Sequence, residues 1–215
     1  MNINATKDIS ERIVKAGREL YAHGLVKGTS GNISAKIPGT DTFLIKPSGA
    51  RLEVLKPEEL VLVDHLGNKI RGESNVSRET RMHAAIYRTR KDAQAVVHTH
   101  APTSTAFGIA KTEILPLQIE MFMLLPNGVP VIPFQPPGSE SLAEAVQKKI
   151  LDSDAVILEN HGIVTVGSTI EAACSLNEMV EEGAKVQLLT MLLKGRAAGS
   201  LPELKEKFKT EKTVE

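Results

Sequence analysis

Three histidines and one carboxylate carry the strongest chemical signal in this chain: His98 and His100 in the run HTH, His161 in ENHG, and Glu79 in SRETRMH. His98-Thr99-His100 ends a Val-rich run, QAVVHTH. Side chains alternate along a strand, so positions two apart face the same way and one metal ion can meet both imidazoles. The other reading is a pair of histidines fraying into solvent at a strand end. His161 sits in a polar break between AVIL and IVTV, beside Gly162. Such a break is held at a sheet edge or in a cleft, where a histidine serves as a ligand or as a turn residue with a structural hydrogen bond. Glu79 lies in the first turn of a predicted helix. The helix dipole alone accounts for a carboxylate there, and so does ligation. Together the four residues would fill a tetrahedral Zn²⁺ shell, with Glu79 as the ligand that substrate displaces and as a general base once free.

These residues need elements to hold them. A helix is expected over 9–24, capped by Asp8 or Ser10 and ended by Gly24. The glycine turn GTSGN (28–32) leads into a hairpin of ISAKI and TFLIK. A short helical turn in KPEEL and two short strands follow. The pattern becomes helical from Ser77, then extended in QAVVHTH, then helical in APTSTAFGIA. GVPVIPF reads as a strand, SESLAEAVQKKILD as an amphipathic helix, and DAVILENHGIVTVG as two strands hinged at the polar break. A long helix from Ser168 carries a capping box with Glu171, and the charged tail beyond Pro202 is expected to be helical. Hairpins interleaved with helices predict one α/β domain over 1–215: a three-layer αβα arrangement around a central mixed, largely antiparallel sheet. The glycine turn precedes no regular βαβ unit, which argues against dinucleotide binding.

Composition narrows the function. The chain has 215 residues, 41% hydrophobic and 24% charged, with 26 basic and 26 acidic side chains balancing to zero. That balance, with 3% aromatics and no Trp, argues against nucleic acid as a partner. No apolar run has transmembrane length, and MNINATKDIS is no signal pattern, so no membrane partner is expected. A single cysteine, Cys174, excludes an internal disulfide and makes the cytoplasm the expected location.

Five motifs in order then resemble a known family. Gly28-Thr29-Ser30-Gly31-Asn32-Ile33-Ser34, Lys46-Pro47-Ser48-Gly49, Ser77-Arg78-Glu79, His98-Thr99-His100 and Asn160-His161-Gly162 follow the motif order of the class II aldolase/adducin family, and of its L-fuculose-1-phosphate aldolase branch in particular. The likeness runs from about Ile9 to near Gly195. It implies a Zn²⁺ site (Co²⁺ or Mn²⁺ as alternatives) made by Glu79, His98, His100 and His161. It implies a phosphate site made by Gly31, Asn32, Ser48, Gly49, Ser77 and Arg78, for which exposed backbone N–H groups and small hydroxyls are apt. The implied activity is reversible aldol cleavage of a ketose 1-phosphate, without a Schiff-base lysine; Lys46 belongs to strand or phosphate surroundings. The implied assembly is a homotetramer with the active site near a subunit boundary.

The match also departs from that branch. Arg78 stands where the branch has a serine, and Glu120 in LPLQIEMFM stands at or near the place of a catalytic tyrosine. Glu120 resembles instead the acid/base glutamate of methylthioribulose-1-phosphate dehydratase; the plainer reading is a surface carboxylate. The branch's C-terminal tyrosine is absent, the tail having Phe208 and lysines. A dehydratase and a 4-epimerase on the same fold are therefore rivals, and Glu79 where an epimerase carries Asp counts against the second. An adducin-like binding protein without catalysis should have lost the metal ligands. Of the other histidines, His23 is placed at a helix end, His65 in a turn, and His83 either behind the site or in helix packing.

Overall fold

A computed structural model of the chain describes residues 3–194. Its strands are β1 (Asn32–Lys36), β2 (Thr42–Ile45), β3 (Val61–Asp64), β4 (Lys69–Arg71), β5 (Ala95–Thr99), β6 (Val131–Ile132), β7 (Ala155–Leu158) and β8 (Gly162–Gly167). Its helices are α1 (Ile3–Ala22), α2 (Thr80–Thr89), α3 (Pro102–Ile109), α4 (Ile119–Leu124), α5 (Glu140–Lys149) and α6 (Ile170–Lys194). One sheet runs in the order β4-β3-β2-β1-β5-β8-β7-β6. Every pairing is antiparallel except β6 with β7.

Period-two alternation builds the three layers. Ile33, Ala35, Val97, Ile157 and Ile163 turn to one face, where α1, α3, α4 and α6 cover them with Ile13, Leu20, Phe107, Met121 and Val180. Phe43, Ile45, Val96, Val156 and Val164 turn to the other, under Met82 and Ile86 of α2 and Leu142 and Val146 of α5. Each such side chain contributes about 1.5–3 kcal/mol when fully buried. The central strands are apolar on both faces, so their polar residues stand out: His98, Thr99 and Thr165 are all fully buried.

Several boundaries differ from expectation. α1 begins at Ile3, so Asp8 and Ser10 are interior: Ser10 Oγ donates to the Lys7 carbonyl at 2.7 Å. Gly24 does end the helix, with φ +75°. Thr169, not Ser168, caps α6, its Oγ1 accepting from the Ala172 N–H at 3.0 Å. With Thr169 as the cap, Glu171 falls one residue short of the capping-box position; its carboxylate is held chiefly by Arg12, through two bonds of 3.0 and 2.6 Å, with the Thr169 side chain as a lesser partner. GVPVIPF yields two strand residues because Pro130 and Pro133 flank them and supply no N–H to a ladder. The apolar run around Glu120 forms α4, which anchors against α6 through Met121, buried in contact with Gly183. The charged tail with Phe208 lies outside the described residues.

Candidate metal and anion site

The site gathers at one end of the sheet. His98 pairs with Asn32 of β1 on one side and with Val164 of β8 on the other. The start of β1, the end of β5 and the start of β8 thus share an edge. β7 and β8 are joined by a tight turn in which Asn160 has φ +57° and the His161 N–H meets the Leu158 carbonyl at 3.1 Å. A Cβ at Gly162 would collide with the Thr99 carbonyl and press on the His100 ring. Glycine there lets β8 start close enough to bring His161 onto His98 and His100.

The three imidazoles form one group. Ring centroids lie 4.7 Å apart for His98 and His161 and 5.0 Å apart for the two pairs with His100. One nitrogen from each falls within 4.8 Å of the others. His98 Nδ1 donates to the Ile163 carbonyl at 2.9 Å, which leaves the Nε2 lone pair toward His100 Nε2, 3.1 Å away. Two nitrogens on one tetrahedral Zn²⁺ at 2.0–2.1 Å stand about 3.3 Å apart, so the spacing of this pair suits a shared ion. Burial and then the neighbouring rings push His98 well below the usual histidine range. Burial and then His100 push His161 down to about 4. His100 is lowered by burial and then by Lys46. Neutral rings have lone pairs to give, and His161 Nδ1 is buried with no hydrogen-bond partner. The donor set fits a divalent cation, and the frayed-strand reading of His98 does not hold.

Glu79 occupies the N-cap of α2 but makes no capping hydrogen bond with its side chain. The dipole reading therefore leaves its carboxylate unexplained. The residue is 6% exposed, Oε2 is buried without a partner, and burial pushes the carboxyl up to about 7 against a backbone hydrogen bond from Gly138. Glu79 stands outside the tight group of histidine nitrogens.

The expected anion loops converge on the same end. Lys46, 3% exposed, donates from Nζ to the carbonyls of Thr29 and Gly31 at 2.8 and 2.9 Å and so fastens the glycine turn. Burial pushes its amine down to about 8. Gly31 has φ +69°, and a Cβ there would meet the His98 carbonyl at 2.9 Å. Asn32 follows, buried at the head of β1. The Ser48 N–H donates to the Asn75 carbonyl at 3.0 Å, which ties the Ser48-Gly49 turn to the loop before α2. Ser77 is buried in the turn before α2, which starts at Thr80 and not at Ser77 as expected, and accepts the Glu79 N–H on Oγ at 3.3 Å. Ser48, Gly49 and Arg78 are exposed.

Glu120 is not brought to the histidines. It lies exposed on α4 in a groove with His23, Gln118, Glu178 and Lys185, and none of the three histidines lines that groove.

Sequence reasoning missed the residues that act from outside. Thr99 points away from His98 and donates to Asn177 of α6 at 2.7 Å; Asn177 in turn donates to Thr165 at 3.2 Å. Glu181, 2% exposed, accepts from the N–H groups of Thr103 and Ser104 at 3.0 and 2.8 Å and caps α3 just past His100. The turn Pro136-Pro137-Gly138, a visible turn signal, supplies the N–H on Glu79 and packs against the Arg78 backbone.

Comparison with known proteins gives the chain's relatives. The family model for the Class II Aldolase and Adducin N-terminal domain matches residues 11–188. A 5-deoxy-D-ribulose 1-phosphate aldolase from Bacillus thuringiensis serovar kurstaki is 34% identical over 180 residues, 84% of each chain. A 3-oxo-tetronate 4-phosphate decarboxylase from Haemophilus influenzae is 32% identical over 180 residues, 82% of this chain and 85% of its own. Among solved structures, an L-fuculose 1-phosphate aldolase superposes with a TM-score of 0.86 at 30% identity, covering 96% of both chains.

Proposed function

Because this chain belongs to the class II aldolase and adducin family, we propose that it is a zinc-dependent aldolase that reversibly cleaves a ketose 1-phosphate to dihydroxyacetone phosphate and an aldehyde. One observation carries the reading. Three neutral histidines converge at a sheet end where a buried carboxylate oxygen and a buried imidazole nitrogen both lack partners. Co²⁺ or Mn²⁺ would suit the same ligand types.

His98, His100 and His161 would hold the ion, with Glu79 as the fourth, exchangeable ligand. A divalent ion bound there supplies Lewis-acid stabilisation of the negative charge that develops on the ketone oxygen. The chain's own groups do the rest. The turn at Gly31 and Asn32, with Ser48, Gly49, Ser77 and Arg78, takes the phosphate and fixes the distance from phosphate to carbonyl. Glu79 moves the proton at the carbon next to the carbonyl. Burial raises its carboxyl to about 7 in the metal-free fold, which favours proton uptake once the carboxylate is clear of the ion. Glu120 is exposed on α4 away from the three histidines, and in the proposed homotetramer a catalytic role for it would be at the site of a neighbouring copy.

The test gives zinc-loaded protein L-fuculose 1-phosphate, 5-deoxyribulose 1-phosphate and methylthioribulose 1-phosphate, with dihydroxyacetone phosphate release coupled to NADH oxidation. Release from at least one is expected. No release from any, with water loss from methylthioribulose 1-phosphate, or with CO₂ released from 3-oxo-tetronate 4-phosphate in a separate incubation, would replace the aldolase reading. A Glu120→Gln variant with wild-type turnover would return Glu120 to the surface.

A further inference from the structure

Asn32 is pinned from below by a histidine that neither the metal group nor the anion loops use. His83 of α2 is fully buried under the head of β1. Its Nε2 lies 2.5 Å from Asn32 Oδ1, and its Nδ1 lies 2.6 Å from Ser34 Oγ. Ser34 Oγ is in turn 2.7 Å from the Tyr87 hydroxyl.

The protons on this chain follow from the chemistry of its members. Burial holds the His83 ring neutral, so one nitrogen carries a proton and the other a lone pair. A carboxamide oxygen only accepts, so Nε2 holds the proton and donates to Asn32. Nδ1 then accepts the Ser34 hydroxyl proton, and Ser34 accepts from Tyr87. Every proton is used once, and the chain runs in one direction from Tyr87 to Asn32. The far end of the carboxamide, Nδ2, has no hydrogen-bond partner among the described residues.

We propose that His83 is a positioning residue: by holding Asn32 Oδ1 it orients Nδ2 as a hydrogen-bond donor to the substrate anion beside Gly31. A carboxamide is nearly symmetric in shape, and turned by half a rotation it would set an oxygen lone pair against the anion. His83 removes that orientation. Ser34 and Tyr87 keep the ring in the one tautomer that does so. This inference rests on the reading of Gly31 and Asn32 as part of the anion site.

The experiment titrates the full-length, metal-loaded protein with inorganic phosphate. Asn32→Ala weakens phosphate binding about tenfold, as the loss of one hydrogen bond to a charged group does. His83→Phe weakens it by a similar factor. Adding His83→Phe to Asn32→Ala weakens it no further, because His83 acts through Asn32. Wild-type affinity in Asn32→Ala would overturn the anion site and the orientation with it. A loss in Asn32→Ala but not in His83→Phe overturns the orientation alone, as does full additivity in the double variant. Nitrogen-15 histidine spectra of the unmodified protein supply a readout independent of folding of any variant. His83 is expected as the Nε2–H tautomer, and the Nδ1–H tautomer would overturn the proposal.

Discussion

Two neighbouring residues of β5 face opposite halves of the molecule, and the two halves treat polar groups differently. Thr99 turns toward α6, where Asn177, Thr165 and Glu181 are buried and every one is hydrogen-bonded within the fold. His98 turns the other way, toward a group in which His161 Nδ1 and Glu79 Oε2 are buried and unpartnered. Burying a polar atom without a partner costs about 1–3 kcal/mol. A fold that bonds Thr99, Asn177, Thr165 and Glu181 on one side of β5 and leaves His161 Nδ1 and Glu79 Oε2 unbonded on the other has left two unsatisfied atoms where one ligand can satisfy both. The α6 side acts as a clamp that sets where His98 and His100 stand, and the other side holds what they are for.

Perturbing each side should therefore give different signatures. The largest effect is expected on the open side. His161→Ala should weaken zinc binding more than about 100-fold, beyond what losing a merely supporting partner costs, with little change in stability of the metal-free protein. Metal analysis after dialysis checks it, and full occupancy would break the contrast. On the closed side, Glu181→Ala strips three hydrogen bonds from the start of α3. It should cost about 3 kcal/mol of stability by chemical denaturation, in metal-free and metal-loaded protein alike. A loss seen only with metal present would place Glu181 on the wrong side of the comparison.

A smaller effect separates Glu79 from both. Its carboxyl is raised to about 7 in the folded protein, against an ordinary 4.5. The folded state thus holds this proton more tightly than the unfolded one. The stability it brings is complete below about 4.5 and is lost as pH rises through 7. Glu79→Gln has no charge to bury, so above pH 7 the metal-free variant should be more stable than metal-free wild type by about 3 kcal/mol. The two should nearly coincide at pH 4.5. Denaturant midpoints at pH 4.5 and 8 decide it, and a variant less stable at pH 8 would show that the carboxylate is already paired.

Much of this was legible in the chain because it follows from short-range rules. The two-residue spacing of His98 and His100 announces a shared face once QAVVHTH is recognised as a strand. The polar break at Asn160-His161-Gly162 between two apolar strands announces an edge. What was not legible depends on distance through space. Nothing in the spacing of Asn32 and His83, or of Thr99 and Asn177, marks them as partners. The same holds for Lys46, whose reach to the Thr29 and Gly31 carbonyls turns a strand-end lysine into the fastener of the glycine turn. Local signals misled by one residue at α6, where Arg12 competes for Glu171 and the cap falls on Thr169. At α4 they gave no warning that six apolar-rich residues would fold as a helix.

The central claim is that Glu79 joins the three histidines on one ion, and proton counting tests it most directly. At pH 6 His161, pushed down to about 4, is already neutral, the histidines' own protons cancel between wild type and Glu79→Gln, and Glu79, at about 7 in the metal-free fold, is still protonated. Zinc binding, followed by calorimetry in buffers of different ionisation enthalpy, should release about one more proton from the wild type than from Glu79→Gln at pH 6. Equal release from the two proteins would contradict the account and leave the ion to the histidines alone.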